Sequence, residues 1–141
     1  MLAAQQGDNE VPYGNIIALN EHSSIFHYTV LEKQKPVQNL SFLIDAGASF
    51  HGYASDITRT YTSKTHEFAD LIRAVNTLNL ALIEKVKPGV NYADIHASAY
   101  LGIASIMTDF KFINMAPEDA VDAGIVGTFF PHGIGHGLGL Q

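Results

Sequence analysis

The chain has 141 residues, 47% hydrophobic and 16% charged, which predicts one globular domain over residues 1–141 and excludes a disordered chain. Its net charge of −6 comes without a basic stripe, which argues against nucleic acid as a partner. Cysteine is absent, which excludes disulfides and thiolate metal sites and suits the cytoplasm. Residues 1–10 lack the apolar core of a signal peptide, and the uncharged run 123–141 is too glycine-rich for a membrane span.

The first part of the chain is predicted to form short strands. Branched and aromatic residues favour strands at 15–20 and 24–30. The stretch 41–60, SFLIDAGASFHGYASDITRT, then predicts a β-hairpin whose turn is centred on Phe50 and His51.

The second part is predicted to be helical up to a glycine-rich end. Its apolar residues recur at helical spacing, and each segment has start and stop signals. Because strands precede helices in blocks, the fold class is α+β, an antiparallel sheet with helices packed on one face. The predicted helices run from a cap at Thr65 to Pro88–Gly89, from a cap at Asn91 to Asp109, and from Pro117 to Gly124.

Two carboxylates distinguish the predicted hairpin. Ten residues separate Asp45 from Asp56, so a turn centred on Phe50 and His51 would set them directly opposite each other on one face. Like charges in that position are unfavourable unless they share a proton or a cation. Strand alternation puts Arg59 on the other face, which favours a bound cation as the counter-charge.

The histidines of the glycine-rich end are candidate ligands for that cation. His132 and His136 are four residues apart, but the surrounding glycines oppose a helix, and extended chain would separate them by roughly 13 Å. We therefore expect only one of them to bind a metal directly. Two carboxylates and one imidazole suit Mn²⁺, Co²⁺ or Zn²⁺, and oxygen-rich ligation favours manganese.

Ordinary interpretations of the same residues remain open. A single aspartate on a strand is more often solvated than a ligand, and the two histidines could simply belong to a loop. Asp45-Ala46-Gly47 is superficially an aspartic-protease triplet, but Asp56 lacks the glycine of a second one. Four further histidines have no arrangement that separates them from surface residues, namely His22, His51, His66 and His96.

Several segments together resemble the metallopeptidases of the pita-bread fold, and within them the bacterial Xaa-Pro dipeptidases, or prolidases. Aminopeptidase P, the creatinase-type enzymes and methionine aminopeptidase are close relatives of that group. The resemblance covers nearly the whole chain from Asp8 onward. Its segments are NIIALNEHSSIFHYT, FLIDAGASFHGYASDITRTYT, KPGVNYADIH and FFPHGIGHGLGLQ.

This resemblance implies a centre of two divalent metal ions, with manganese preferred over cobalt or zinc. Asp45 would bind one ion, Asp56 would bridge both, and His136 would bind the ion that Asp45 does not. His132 would stabilise the reacting carbonyl, and His27 would lie near the substrate pocket. The family has a further catalytic histidine and two glutamates later in its pattern, so we expect this chain to be the first half of a catalytic domain.

The implied activity is hydrolysis of Xaa-Pro dipeptides by a metal-activated hydroxide, in an enzyme that is a homodimer at full length. This chain would be an incomplete and inactive or weakly active part of it. Two alternatives remain open: aminopeptidase P-type removal of an N-terminal residue before proline, and a non-enzymatic binding module of the same fold. Half of a two-part core would expose apolar surface, so we also expect self-association.

Overall fold

The computed structural model of the chain describes residues 11–63 and 66–139. The chain divides into two compact units. The first unit extends to Ala69 and also takes in the segment from Gly137 onward, and the second unit runs from Asp70 to His136.

The first unit contains two antiparallel sheets, which confirms the antiparallel prediction. The strands are β1 Ile16–Leu19, β2 Ser41–Ala46, β3 Ser49–Phe50, β4 Tyr53–Ala54 and β5 Ile57–Thr62. The larger sheet has β2 between β1 and β5, and the smaller one pairs β3 with β4. The predicted strand at 15–20 is present as β1.

The hairpin turn lies one residue later than predicted. His51 and Gly52 are its central residues, and both have positive φ angles, 51° and 79°. A two-residue turn of this hand requires positive φ at both positions, and glycine adopts it without a steric cost. Because the turn moves by one residue, Asp45 pairs with Thr58, and the predicted direct opposition of Asp45 and Asp56 is wrong.

The predicted strand at 24–30 is also wrong. A 3₁₀ turn over Asn20–Ser24 follows β1, and the chain then turns at His27, whose φ is 53°. The Asn20 side chain ties this turn to the start of β2, because its oxygen accepts from the Leu40 N–H at 2.7 Å. Local β-propensity is overridden here because the chain reverses direction instead of extending beside β1.

The helices are α1 Glu67–Ile83, α2 Tyr92–Asp109, α3 Pro117–Asp122 and α4 Ile125–Phe129. They lie in the second unit, apart from the first three residues of α1. Asn91 caps α2 as predicted, its side-chain oxygen accepting from the Ala93 N–H at 3.0 Å, and Gly124, at φ 71°, follows α3. The predicted cap at Thr65 lies outside the described residues, and α1 ends before Pro88. The helix α4 occupies part of the predicted glycine-rich end.

Small residues form the centre of the second unit. Ala104 of α2, Ala120 of α3 and Val126 of α4 are fully buried against one another. Short side chains at these positions let the three helices approach closely. The half-buried rings of Tyr100 and Phe130 pack against this centre, so the core also supports the start of the glycine-rich segment.

Apolar side chains of the first unit are strongly exposed, as expected for part of a larger core. Leu31 is 77% exposed, and Val30 and Phe26 are 61% and 63% exposed. This exposure supports the prediction of self-association, which stays a prediction. Within the described residues, no helix combines the length and the apolar character needed to cross a membrane.

Gly47, which follows β2, is buried against the segment before β1. A Cβ atom there would collide with the Ser55 carbonyl oxygen and would lie 2.9 Å from both a Pro12 carbon and a Tyr13 ring carbon. We expect Gly47→Ala to lower the free energy of unfolding by about 1–3 kcal/mol, the range for overpacking. Unfolding in urea, monitored by circular dichroism, measures this change in the free energy of unfolding.

The matched control is Gly14→Ala, because nothing lies within 4 Å of a Cβ atom at that position. It should unfold at the urea concentration of the parent chain or slightly above it. Equal stability of the two variants would contradict the close packing assigned to Gly47.

Candidate metal centre

The two predicted metal-binding aspartates converge on one atom. Asp45 lies in β2, and Asp56 directly precedes β5, two residues before the partner of Asp45 and on the same side of the strand. The hydroxyl oxygen of Tyr13 is 2.7 Å from Oδ1 of Asp45 and 2.9 Å from Oδ1 of Asp56. The hydrogen-bonded phenol therefore joins the two carboxylates that the sequence predicted to act together.

Local hydrogen bonds hold the two aspartate-bearing segments together. The Ser55 N–H donates to the Ala48 carbonyl at 2.9 Å, and the Ala48 N–H donates to Ser55 Oγ at 3.0 Å. This reciprocal pair joins the chain just after Asp45 to the chain just before Asp56. It therefore fixes the spacing of the two backbone segments from which the carboxylates project.

Tyr13 stays protonated between the aspartates. Burial raises the pKa of its phenol well above the usual value, and the hydrogen bonds and negative charges of Asp45 and Asp56 raise it further. A single phenolic proton thus serves two carboxylates. Of the two possibilities predicted for this pair, a shared proton or a shared cation, the contact seen here is a shared proton, and it belongs to Tyr13.

Tyr13 is the site residue that the sequence analysis missed. It lies between Pro12 and Gly14 in a segment without helical or strand periodicity. Its contact with the aspartates spans 32 and 43 positions of the chain. No local pattern carries such a contact, so only the folded chain reveals it.

The predicted histidines belong to different parts of the fold. His27 lies in the first unit, exposed, in the turn after the 3₁₀ segment. His132 and His136 lie in the second unit, in the non-helical glycine-rich segment, as the glycine argument expected. The Nδ1–H of His132 donates to the Gly133 carbonyl at 2.9 Å, which places the lone pair of the neutral ring on Nε2.

The aspartate pair fits part of a divalent-metal centre. Its two carboxylate oxygens already meet at one hydroxyl position, and carboxylate oxygens are ligands that manganese and related ions accept. Across residues 11–63 and 66–139, no three His, Asp or Glu side chains cluster closely enough to hold a metal. Asp45 and Asp56 offer the type of oxygen ligand that such a site uses, and their metal-binding roles, like the roles of His136, His132 and His27, stay predictions.

The first unit also contains a cavity of about 180 Å³, which neither Asp45 nor Asp56 lines. The His22 ring stacks on Tyr28 there, with centroids 4.6 Å apart, and its Nδ1 lies 3.7 Å from Glu32 Oε1. The sequence alone gave His22 no role, and these contacts make it a structural residue of the cavity wall.

Comparison with known proteins assigns the chain to a family. The profile of metallopeptidase family M24 matches residues 1–141, so the chain belongs to that family. The Xaa-Pro dipeptidase of Shewanella loihica is 54% identical over all of this chain and 32% of its own length. That of Shewanella denitrificans is 58% identical over 94% of this chain and 30% of its own length.

Solved structures agree with the family assignment. A zinc-substituted aminopeptidase P of Escherichia coli in complex with product superimposes with a TM-score of 0.77 at 26% identity, covering 93% of this chain and 30% of that one. The likeness confirms the predicted α+β class and the predicted similarity of the chain to the pita-bread enzymes. The chain spans about a third of the length of the curated relatives it matches.

The shared proton of Tyr13 predicts an unusual alkaline titration. The raised pKa means that the stability Tyr13 contributes is present below about pH 10, where an unfolded phenol titrates, and is lost as the pH rises further. Tyr13→Phe should leave the native absorbance change of tyrosine ionisation between pH 9 and about 11 unaltered. Ultraviolet difference spectroscopy measures this change.

The same titration in guanidinium chloride supplies the control, because it counts all six tyrosines of the parent chain and should count one fewer in the variant. A native signal that falls by a full tyrosine in Tyr13→Phe would show that Tyr13 ionises normally and would contradict the shared-proton arrangement.

Proposed function

We propose that the natural-length protein carrying this chain is a metal-dependent Xaa-Pro dipeptidase, and that this chain contributes part of its catalytic domain. The convergence of Asp45 and Asp56 on one oxygen atom is the observation that carries the proposal. Membership of metallopeptidase family M24 and 54–58% identity to Xaa-Pro dipeptidases support it. Residues 1–141 would form the first part of one pita-bread domain.

Asp45, Asp56 and His136 are the residues of this chain that would hold two divalent ions. Asp56 would bridge the ions, and the oxygen-rich ligands favour manganese over cobalt or zinc. When bound, such ions lower the pKa of a water molecule towards neutrality and act as Lewis acids. The chain itself supplies two carboxylates whose oxygens meet at the Tyr13 hydroxyl.

Tyr13 would maintain that alignment. Its hydroxyl lies between the two carboxylates and donates to them, so the two side chains can remain close together in a partly buried place. A carboxylate pair held in this way loses less side-chain freedom on binding a cation than a pair of mobile aspartates would. Tyr13 therefore acts as a positioning residue for the two ligands.

His132 would face the substrate carbonyl. The Gly133 carbonyl accepts from its Nδ1–H, a contact that would fix the orientation of the ring beside the substrate. His27 would lie near the substrate pocket.

Proline in the second position suits a site that binds the peptide without its amide hydrogen. The bond before proline is a tertiary amide with no N–H, so a site that grips the scissile N–H cannot engage it. A site that polarises the scissile carbonyl through contacts to its oxygen needs no N–H on the scissile bond. A homodimer and a cytoplasmic location belong to the same proposal.

Aminopeptidase P activity is the second candidate, favoured by the structural likeness to the Escherichia coli enzyme. Both candidates cleave before proline and differ in the length of peptide accepted. A dipeptidase must recognise the carboxylate that ends its substrate, whereas an aminopeptidase must leave room for further residues.

Manganese should bind this chain through the aspartate pair. Isothermal titration calorimetry should give a dissociation constant in the micromolar range or tighter, which Asp45→Asn/Asp56→Asn should lose because both carboxylate ligands become neutral amides. The matched control is Asp119→Asn/Asp122→Asn, which removes the same charge from α3 in the second unit. Equal binding by all three chains would contradict the assignment.

Substrate length should separate the two candidates in the natural-length protein. We expect kcat/KM for an Xaa-Pro dipeptide to exceed that for the matching Xaa-Pro-Yaa tripeptide at least about 100-fold. In the tripeptide the proline carboxylate is replaced by an amide, so the group that binds this carboxylate in a dipeptidase would lose its partner. Asp56→Asn should abolish both activities. A preference for the tripeptide would favour the aminopeptidase, and unchanged turnover in Asp56→Asn would refute the bridging role.

A further inference from the structure

Three ring-bearing side chains of α2, Tyr92, His96 and Tyr100, lie along one face of the helix at four-residue spacing. We term them the α2 ladder. We propose that the α2 ladder positions the loop over residues 130–135, and through it the ring of His132. The ladder residues are positioning residues, and their importance for catalysis rests on the proposed function of His132.

Hydrogen bonds from the ladder hold both ends of that loop. The Tyr100 hydroxyl donates to the Phe130 carbonyl at 3.1 Å, and the Tyr92 hydroxyl donates to the Gly135 carbonyl at 2.9 Å. His132 lies between these two anchored carbonyls. A loop tied at both ends to one helix has few alternative paths, so its central residue takes a defined place.

Ring contacts connect the middle of the ladder to His132. The His96 ring lies 4.7 Å from that of Tyr100 and 6.3 Å from that of Phe130, measured between centroids. The Phe130 ring in turn meets His132 edge-on at 4.4 Å. This continuous stack transmits the position of α2 to the imidazole through aromatic contacts.

The loop passes very close to the ladder. A Cβ atom added at Gly133 would lie 3.0 Å from the Tyr92 hydroxyl oxygen. Glycine at this position therefore permits the approach on which the Tyr92 to Gly135 hydrogen bond depends.

His96 contributes its ring surface more than its nitrogen. Its Nδ1 is buried and has no hydrogen-bond partner within the described part of the chain, an arrangement that disfavours a polar ring. Phenylalanine would keep the flat ring without that penalty. A role in positioning therefore predicts that His96→Phe preserves the loop, whereas His96→Ala disturbs it.

The test reads the loop directly in the 141-residue chain labelled with ¹³C and ¹⁵N. The ring signals of His132, assigned by their loss in His132→Gln, report its environment, and backbone ¹⁵N relaxation of Gly133 and Gly135 reports loop order. Tyr92→Phe should shift the His132 signals and increase loop motion, with the loop's open population rising about fivefold for one lost hydrogen bond. His96→Ala should act in the same direction, and His96→Phe should restore the parent spectrum.

Tyr53→Phe, which removes a hydroxyl from an exposed ring of the first unit, is the control and should change neither readout. Unchanged His132 signals in Tyr92→Phe would overturn the proposal, even if the variant is less stable to heat. Tyr92→Phe removes one atom and retains the ring, so it decides the matter if His96→Ala does not fold. Because neither readout uses activity, absence of dipeptidase activity would refute the proposed function and leave the positioning role standing.

Discussion

The candidate site depends on one interaction, the sharing of the Tyr13 hydroxyl by Asp45 and Asp56. Two carboxylates that converge in a partly buried place repel each other, and a hydrogen-bond donor between them offsets that repulsion. Burial and the two negative charges raise the pKa of the phenol, so the donor keeps its proton. The contact between the two carboxylates is therefore made through a protonated phenol.

The surrounding backbone is built to permit that interaction. Gly47 brings the end of β2 against Pro12 and Tyr13, where any side chain would collide with the Ser55 carbonyl. The reciprocal hydrogen bonds of Ala48 and Ser55 then hold the two aspartate-bearing segments side by side. The second unit uses a comparable device, because the α2 ladder holds the glycine-rich loop through two tyrosine hydroxyls and a stack of rings.

Sequence patterns predicted the elements whose signals are local. The helix cap at Asn91, the stop at Gly124 and the strand at 15–20 were all confirmed, because capping, left-handed glycine and branched side chains act within a few residues. The hairpin register was wrong by one residue at the turn, since His51 and Gly52 take the positive φ angles. The strand predicted at 24–30 failed because a reversal at His27 outweighs β-propensity.

The sequence by itself indicated the family, through the resemblance of whole segments, and the α+β class, through the order of strand and helix patterns. It also singled out Asp45 and Asp56 as a pair, although through a register that the structure shifts by one residue at the turn. Only the tertiary structure decided what lies between the carboxylates. It also showed that His96, which no sequence pattern separates from a surface histidine, belongs to a ring stack that reaches His132. The contact of Tyr13 with Asp56 and that of Tyr92 with Gly135 each join residues 43 positions apart. Such contacts arise from packing between distant segments, which neither periodicity nor local propensity encodes.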